Sequence, residues 1–448
     1  MLILIENTVC LNAGDAAIAL AIMRILRRTF GEKSEFVVFD SNPEVAARYY
    51  PDIRFRPLTT TLTTTPSISL PFVGKRFAIR LRRNIDRLKK HEFRRLLSSA
   101  RNNGSVGWSP LLNKQVRENI ELYAKADLIV STGGTYLVEH YDISSRLEEF
   151  EKDLMLGKPL VLFTQSLGPF NKRENQSRIK SIIDQARFTL LRDVKSEGNL
   201  RAIGVKHDRL KVVSDSVFAF ADMERLSARP QSGGSKKLKV AISVRDWAHF
   251  DGLSPQQGMA QYRKAISQAV VALVKTKNAE VTFLSTCQGI AEYHYDDSIV
   301  AQGIANELDA ETQKSVSVDS GFYGPDALLK KVADFDFVIS TRMHMAILSL
   351  CAGVPVLPIS YEFKTTELYN GLSQSQWVTD ISHIEPVSFT ERVLEFTEHL
   401  DEFFQAAAPK IREQSLSAWS AGPLIQASVS SQLHDAKIDA KSVEQASS

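Results

Sequence analysis

Arg342 and His344 stand where a short apolar run, Phe337-Val338-Ile339-Ser340, gives way to an apolar helical stretch from Met345 to Cys351. Beyond Gly353-Val354-Pro355 a second apolar run, Val356 to Ile359, leads into Tyr361-Glu362-Phe363-Lys364. Short apolar runs bounded by Gly and Pro read as buried strands. A guanidinium, an imidazole and an ammonium are therefore expected at the carboxyl ends of two neighbouring strands, where open α/β sheets bind ligands. The helix start adds free backbone N–H groups and a partial positive charge. This chemistry suits a small ligand with several negative charges. A surface arginine and a core histidine would account for the same two residues without a site. Lys364, just past the next strand, favours the site. Residues at i and i+2 do not share a helix face, so the turn itself must aim the two side chains. Arg245, in Ser243-Val244-Arg245-Asp246-Trp247, ends another strand and either joins this group or pairs with Asp246.

Four further motifs sit at strand ends. In Asn12-Ala13-Gly14-Asp15, Gly14 allows a tight turn and Asp15 can cap the helix that follows. The run Asp127 to Thr132 enters Gly133-Gly134-Thr135, where two glycines would let backbone N–H groups approach a ligand and Thr135 would add a hydroxyl. Gln165-Ser166-Leu167-Gly168-Pro169 and Leu191-Arg192-Asp193 with Ser196 complete the set, Arg192 and Asp193 reading as a structural ion pair. A plain structural turn explains each glycine motif equally well. Neither a Walker A loop nor a G-x-G-x-x-G fingerprint occurs, which disfavours P-loop and NAD-dependent chemistry. Asp334-Phe335-Asp336 mimics a D-x-D metal motif but precedes a strand, so it reads as helix-to-strand punctuation. The histidines form no H-E-x-x-H and no ligand spacing, and no G-x-S-x-G elbow is present. No metal and no cofactor are expected.

The elements that must position these residues follow a βαβ rhythm. Strands are expected at 2–5, 35–39, 127–131, 159–164, 187–191 and 211–213, with helices between them, as at 15–29, 112–125, 144–156 and 172–185. After a Pro/Gly-rich linker, Ser227 to Lys237, the rhythm restarts with strands near 238–244, 280–285, 315–318, 336–340 and 354–359. The pattern predicts an α/β protein of two Rossmann-like domains, 1–226 and 238–405, with an extension 406–448 whose end frays.

The chain has 448 residues, 44% hydrophobic and 24% charged, with a net charge of +3. Such a balance argues against a dedicated nucleic-acid binder. Cys10, Cys287 and Cys351 each lie in apolar runs and read as core thiols of a reducing cytoplasm. The start, Met1-Leu2-Ile3-Leu4-Ile5-Glu6, lacks a basic region and is expected to be a buried strand instead of a signal peptide. No run is long enough for a membrane span, so a cytoplasmic protein, at most peripheral to the membrane, is expected. Within a threonine-rich and basic insertion at 59–101, Lys75 to Arg101 holds eleven lysines and arginines against two acids. Phe77, Leu81, Ile85 and Leu88 follow helical spacing, which makes a basic amphipathic helix. It is either a solvated helix packed on its domain or a contact for an anionic membrane or a diphosphate-bearing lipid.

Taken in order, these motifs resemble the polysaccharide pyruvyltransferase family. The matching residues are Asn12-x-Gly14-Asp15, Gly133-Gly134, Gln165-Ser-Leu-Gly168-Pro169, Leu191-Arg192-Asp193 with Ser196, and Asp215-Ser-Val-Phe218. Ile339-Ser-Thr-Arg342-Met-His344, Gly353-Val-Pro355 and Tyr361-x-x-Lys364 extend the resemblance over residues 7 to 373. It implies a GT-B-like fold, with two Rossmann-like domains facing a cleft, and transfer of pyruvate from phosphoenolpyruvate to a sugar as a cyclic ketal. The carboxy-terminal domain would hold the donor through Arg245, Arg342 and Lys364, with His344 and Arg342 catalytic. Asn12, Gly14, Asp15, Gly133, Gly134, Thr135 and Gln165 would shape the side of the saccharide acceptor, free or lipid-linked. Two alternatives stay open, a GT-B glycosyltransferase using a nucleotide sugar and a non-catalytic polysaccharide-assembly protein.

Overall fold

Alternating buried runs and helical stretches resolve into two all-parallel sheets. The computed structural model describes residues 1–59, 75–139, 142–206, 208–228 and 237–446, leaving most of the threonine-rich insertion and most of the linker outside the described residues. The first sheet is built from β1 (Leu2–Thr8), β2 (Glu35–Asp40), β3 (Phe55–Pro57), β4 (Leu128–Ser131), β5 (Gly134–Leu137), β6 (Leu160–Leu167), β7 (Phe188–Leu191) and β8 (Leu210–Val212). Its order is β3-β2-β1-β4-β6-β7-β8, with β5 pairing β6. The second sheet uses β9 (Lys239–Ser243), β10 (Glu280–Phe283), β11 (Val316–Val318), β12 (Phe337–Ser340), β13 (Val356–Ser360) and β14 (Thr379–Asp380) in the order β11-β10-β9-β12-β13-β14.

The second order is that of a Rossmann sheet, three strands wound one way and three the other. Buried on both faces, its central strands need continuous apolar runs. Val338 and Ile339 of β12 accordingly register against Ala241 and Ile242 of β9 in the middle of the sheet. The first sheet keeps the same reversal between β1 and β4. Three strands escaped the sequence reading. β3 and β14 are three and two residues long at sheet edges, and β5 begins inside the double glycine that reads as a turn.

Packing divides the chain into two units. One comprises Met1–Val9, Ile22–Val213 and Ser420–Ser448; the other comprises Cys10–Ala21 and Ser214–Trp419. The segment expected as one domain, 1–226, is thus shared. Ala13 N–H donates to the Thr286 carbonyl at 2.8 Å, and Asp222 N–H to that of Cys351 at 2.9 Å, which fixes both segments in the second unit. The carboxy-terminal extension belongs to a long helix, Leu400–Ala446, that contributes to both units. No helix among the described residues is long and apolar enough to cross a membrane. All three cysteines are free and buried, and burial pushes the Cys287 thiol up to about 12.

The first unit holds a group of buried charges that sequence reasoning did not single out. Lys152 Nζ lies 2.6 Å from Glu149, 3.2 Å from Asp153 and 3.4 Å from Glu6 carboxylate oxygens. It also stands 3.6 Å above the Tyr123 ring, whose hydroxyl donates to Glu6 at 2.9 Å. Each of these side chains is at most 3% exposed. One ammonium cannot neutralise three carboxylates. Burial, reinforced by the charge of Glu6, accordingly raises Asp153 well above the usual carboxylate range.

Candidate functional site

In the second sheet β9 lies between β10 and β12, so the winding reverses between β9 and β12. Loops leaving two such strands diverge and open a crevice at their carboxyl ends. Arg245 lies two residues beyond β9 and Arg342 two beyond β12, while Lys364 opens the helix Phe363–Gly371 after β13. Wide spacing in sequence thus becomes adjacency at one edge of the sheet.

Arg342 caps the helix Met343–Cys351 with an extended backbone (φ −90°, ψ 117°). Its guanidinium forks onto Asp297, Nε to Oδ2 at 2.8 Å and Nη2 to Oδ1 at 2.6 Å. Ser285 Oγ donates to the same carboxylate at 2.5 Å. Burial opposes the guanidinium's charge, but Asp297 outweighs it and carries the pKa above its ordinary value. This fork occupies Nε and Nη2 and leaves Nη1 for a ligand.

Arg245 lies 4.0 Å from the centre of the Tyr361 ring and 4.7 Å from that of Trp247. Its Nε donates to the Asp246 carbonyl at 3.1 Å, and its guanidinium makes cation–π contacts with two rings that lie 4.7 Å apart, in place of the side-chain ion pair considered from sequence. Lys364 Nζ stands 5.2 Å from the same tyrosine ring and 2.8 Å from the Glu362 carboxylate. Burial would raise the Tyr361 phenol, yet Lys364, Arg245 and Arg342 together hold it below its ordinary value. All three cations named from sequence therefore act on one ring.

His344 is the second residue of its helix and its side chain is 13% exposed. Nε2 lies 3.6 Å from Asp215 Oδ2, too far for a direct hydrogen bond, and has no hydrogen-bond partner among the described residues. Arg342 and His344 thus leave their shared turn toward different carboxylates. Across the imidazole lies Gly14, where an added Cβ would sit 2.9 Å from His344 Cβ and 3.1 Å from Nδ1. Only glycine permits that approach. The loop is held by Asn12, whose side chain accepts from Gly14 N–H at 2.9 Å and donates to Asp15 at 3.0 Å. Asn12 is therefore the helix cap, and Asp15, expected in that role, lies in the first turn. Asn12, Gly14 and Asp15, named for the acceptor side, belong to the same unit as His344.

The remaining named residues lie in the first unit. A Cβ on Gly133 would come within 2.6 Å of the Thr164 carbonyl oxygen, so this glycine lets the chain pass close to β6. Gly134 and Thr135 are in β5. Gln165 is fully buried, its amide donating to the Thr132 carbonyl at 2.5 Å and the Tyr136 hydroxyl at 2.9 Å. Arg192 and Asp193 meet through Ser166, whose hydroxyl accepts from Arg192 and donates to Asp193, each at 2.7 Å. Asp193 also caps the helix Val194–Ala202 by accepting from Ser196 N–H. In the second unit Asp336 accepts from Lys239 N–H at 2.7 Å just before β12, the punctuation expected of Asp334-Phe335-Asp336.

Sequence reasoning missed Asp297, Asp215, Trp247 and the ring of Tyr361 as partners of the cations. Asp215 and Tyr361 stand within the motifs, but nothing there marks them as partners. Asp297 offers only an Asp-Asp pair before a helix, an ordinary capping pattern.

Comparison with known proteins gives the fold and the family. The chain is 25% identical over 300 residues to the amylovoran biosynthesis protein AmsJ of Erwinia amylovora, covering 65% of this chain and 70% of that protein. The UDP-GlcNAc 2-epimerase of Neisseria meningitidis, solved with UDP-GlcNAc, superposes with a TM-score of 0.53 at 11% identity, covering 96% and 99% of the two chains. Sucrose-phosphate synthase of Thermosynechococcus elongatus gives 0.51 at 11% identity over 97% and 100%. At such identities these likenesses establish the fold, which is GT-B-like. The polysaccharide pyruvyl transferase model matches residues 12–362, from the Asn12 loop through the Arg342–His344 turn to Glu362. The chain belongs to the polysaccharide pyruvyl transferase family.

Proposed function

We propose that this protein transfers pyruvate from phosphoenolpyruvate to a sugar of a cell-surface polysaccharide or its lipid-linked precursor, releasing phosphate and leaving a cyclic ketal. The observation that carries this reading is the gathering of Arg245, Arg342 and Lys364 around Tyr361, in the unit that holds the His344–Asp215 pair. Phosphoenolpyruvate bears a phosphate and a carboxylate on one carbon, so its site needs several fixed cations. Arginine grips either group through paired N–H donors, and lysine supplies a compact charge.

In this reading His344 protonates the methylene carbon, and a sugar hydroxyl adds to the central carbon as it loses its own proton. Expulsion of inorganic phosphate breaks the bond between the central carbon and the phosphate's bridging oxygen, which leaves with the phosphate, and a second hydroxyl closes the ketal with loss of its proton. Histidine suits these transfers because it gains and loses a proton near neutrality. In this reading the Asp215 carboxylate, 3.6 Å from Nε2, stabilises the imidazolium through its charge.

Mass spectrometry of the extracellular polysaccharide with and without the protein tests the product: a pyruvate ketal is expected only with it. Thermal shift by phosphoenolpyruvate tests the donor. Stabilisation by a nucleotide sugar and none by phosphoenolpyruvate would overturn the proposal in favour of glycosyl transfer.

Gly14→Ala probes the contact beside His344. The new methyl would sit 2.9 Å from His344 Cβ, and displacing a reacting group by about 1 Å costs up to ~10²-fold in rate. Transfer is expected to fall about 10–10²-fold, with a stability loss of about 1–3 kcal/mol from overpacking. Phosphate-release kinetics and a thermal melt of the same preparation check both.

A further inference from the structure

The long basic helix Lys75–Asn103 takes no part in the site described above. Its carboxy-terminal half is anchored by Leu96, Leu97 and Ala100, which enter the core of the first unit. Arg80, Arg83, Arg87, Lys90 and Arg94 are exposed, the last two lining a cavity shared with Leu97 and with Glu148, Glu149 and Glu151. They recur every three or four residues and so form one stripe along the helix. The two acids of the helix are already engaged, Asp86 with Arg82 at 3.8 Å and Glu92 with Arg95 at 2.6 Å. Arg80, Arg83, Arg87 and Arg94 make no ion pair among the described residues. Lys90 alone of the stripe is paired, with Glu148 at 2.6 Å.

Large apolar side chains stand in water beside these cations. Leu88 on the helix is 57% exposed, and Trp108 and Leu111 in the following segment 70% and 43%; Ile79, nine residues before Leu88, lies on the opposite side of the helix. Arg95 Nη2 donates to the Trp108 carbonyl at 3.0 Å and holds that segment against the helix. Exposed cations alone would suit nucleic acid. An exposed indole and leucines alongside a basic stripe instead match the headgroup boundary of an anionic bilayer, where apolar tips enter the acyl region and cations meet lipid phosphates.

We propose that the face formed by Arg80, Arg83, Arg87, Leu88 and Trp108 docks the protein on an anionic membrane surface. The experiment is co-sedimentation of the full chain with phosphatidylcholine vesicles, with and without phosphatidylglycerol. Pelleting should require phosphatidylglycerol and fall with added salt. Joint replacement of Arg80, Arg83 and Arg87 by glutamine should weaken it about 10²-fold, and Trp108→Ala about 10-fold. Circular dichroism and the thermal melt should stay unchanged, since these side chains are exposed. Phosphatidylglycerol-independent pelleting, insensitivity to salt, or retained binding by the folded triple variant would overturn the proposal. Tighter binding to duplex DNA than to the vesicles would overturn it too. If the triple variant does not fold, the salt series on the native chain decides the matter. None of these outcomes depends on what the enzyme transfers.

Discussion

Replacing His344 by glutamine is expected to lower pyruvyl transfer about 10²–10⁴-fold while the protein stays folded. Imidazole is the side chain whose ordinary chemistry lets it both donate and accept a proton near neutral pH. Guanidinium and ammonium groups ordinarily act as fixed charges there. Glutamine keeps much of the volume and a hydrogen-bonding tip, so the ring's place between Gly14 and Asp215 is roughly filled. What is lost is the exchangeable proton. Phosphate release from phosphoenolpyruvate with saturating acceptor measures the effect, and a melt of the variant guards against unfolding. Undiminished release by a folded His344→Gln protein would remove the histidine from the proton transfers. Arg342→Lys separates binding from proton transfer. A lysine keeps the charge but cannot reproduce the fork onto Asp297, so a rise in KM for the donor is the expected mark.

The largest expected effect on stability comes from the first unit. Lys152→Met should destabilise the protein by about 3–5 kcal/mol, because it leaves Glu6, Glu149 and Asp153 buried without their cation. The dependence on pH follows from the raised Asp153. Its native carboxyl keeps a proton that the unfolded chain releases above the usual carboxylate range. Stability from this group is full at low pH and declines as pH rises through that window. Without the ammonium the remaining carboxylates are pushed further toward their neutral forms. The deficit of Lys152→Met should therefore be smaller at pH 5 than at pH 8. Urea denaturation at both pH values measures it, and a deficit that grows toward acid would contradict the assignment.

Much of the fold was legible because parallel strands announce themselves. Runs such as Leu160 to Thr164 and Phe337 to Ser340 are buried on both faces and contain no polar alternation. Turn residues then mark where each run ends. The basic helix was legible from its apolar spacing and its charge. The Arg342–His344 turn could be found because cations directly after a buried strand have few structural uses. Their carboxylate partners could not. Asp297 and Asp215 reach the turn from distant parts of the chain, and an aspartate near a helix start resembles any cap. The buried group around Lys152 was hidden for a related reason. Glu149, Lys152 and Asp153 lie on a helix whose charges read as solvated until the sheet behind it is known, and Glu6 reads as the end of a strand. Gly14 was noticed as a turn residue, but its closeness to His344 depends on how Cys10–Ala21 packs, which local pattern does not encode.

The division of the chain also bears on how this protein could be recombined with a relative. Cys10–Ala21 is taken out of the first unit, and Ser420–Ser448 returns to it after the whole of the second. Neither unit is one uninterrupted stretch, so no single crossover between genes can exchange one intact. A fragment ending near residue 226 would lack the returning helix and carry the Asn12–Gly14 loop away from the histidine it touches. In this chain a change of acceptor preference is therefore expected from substitution or loop insertion within a unit, because a single crossover would not carry a whole unit with it.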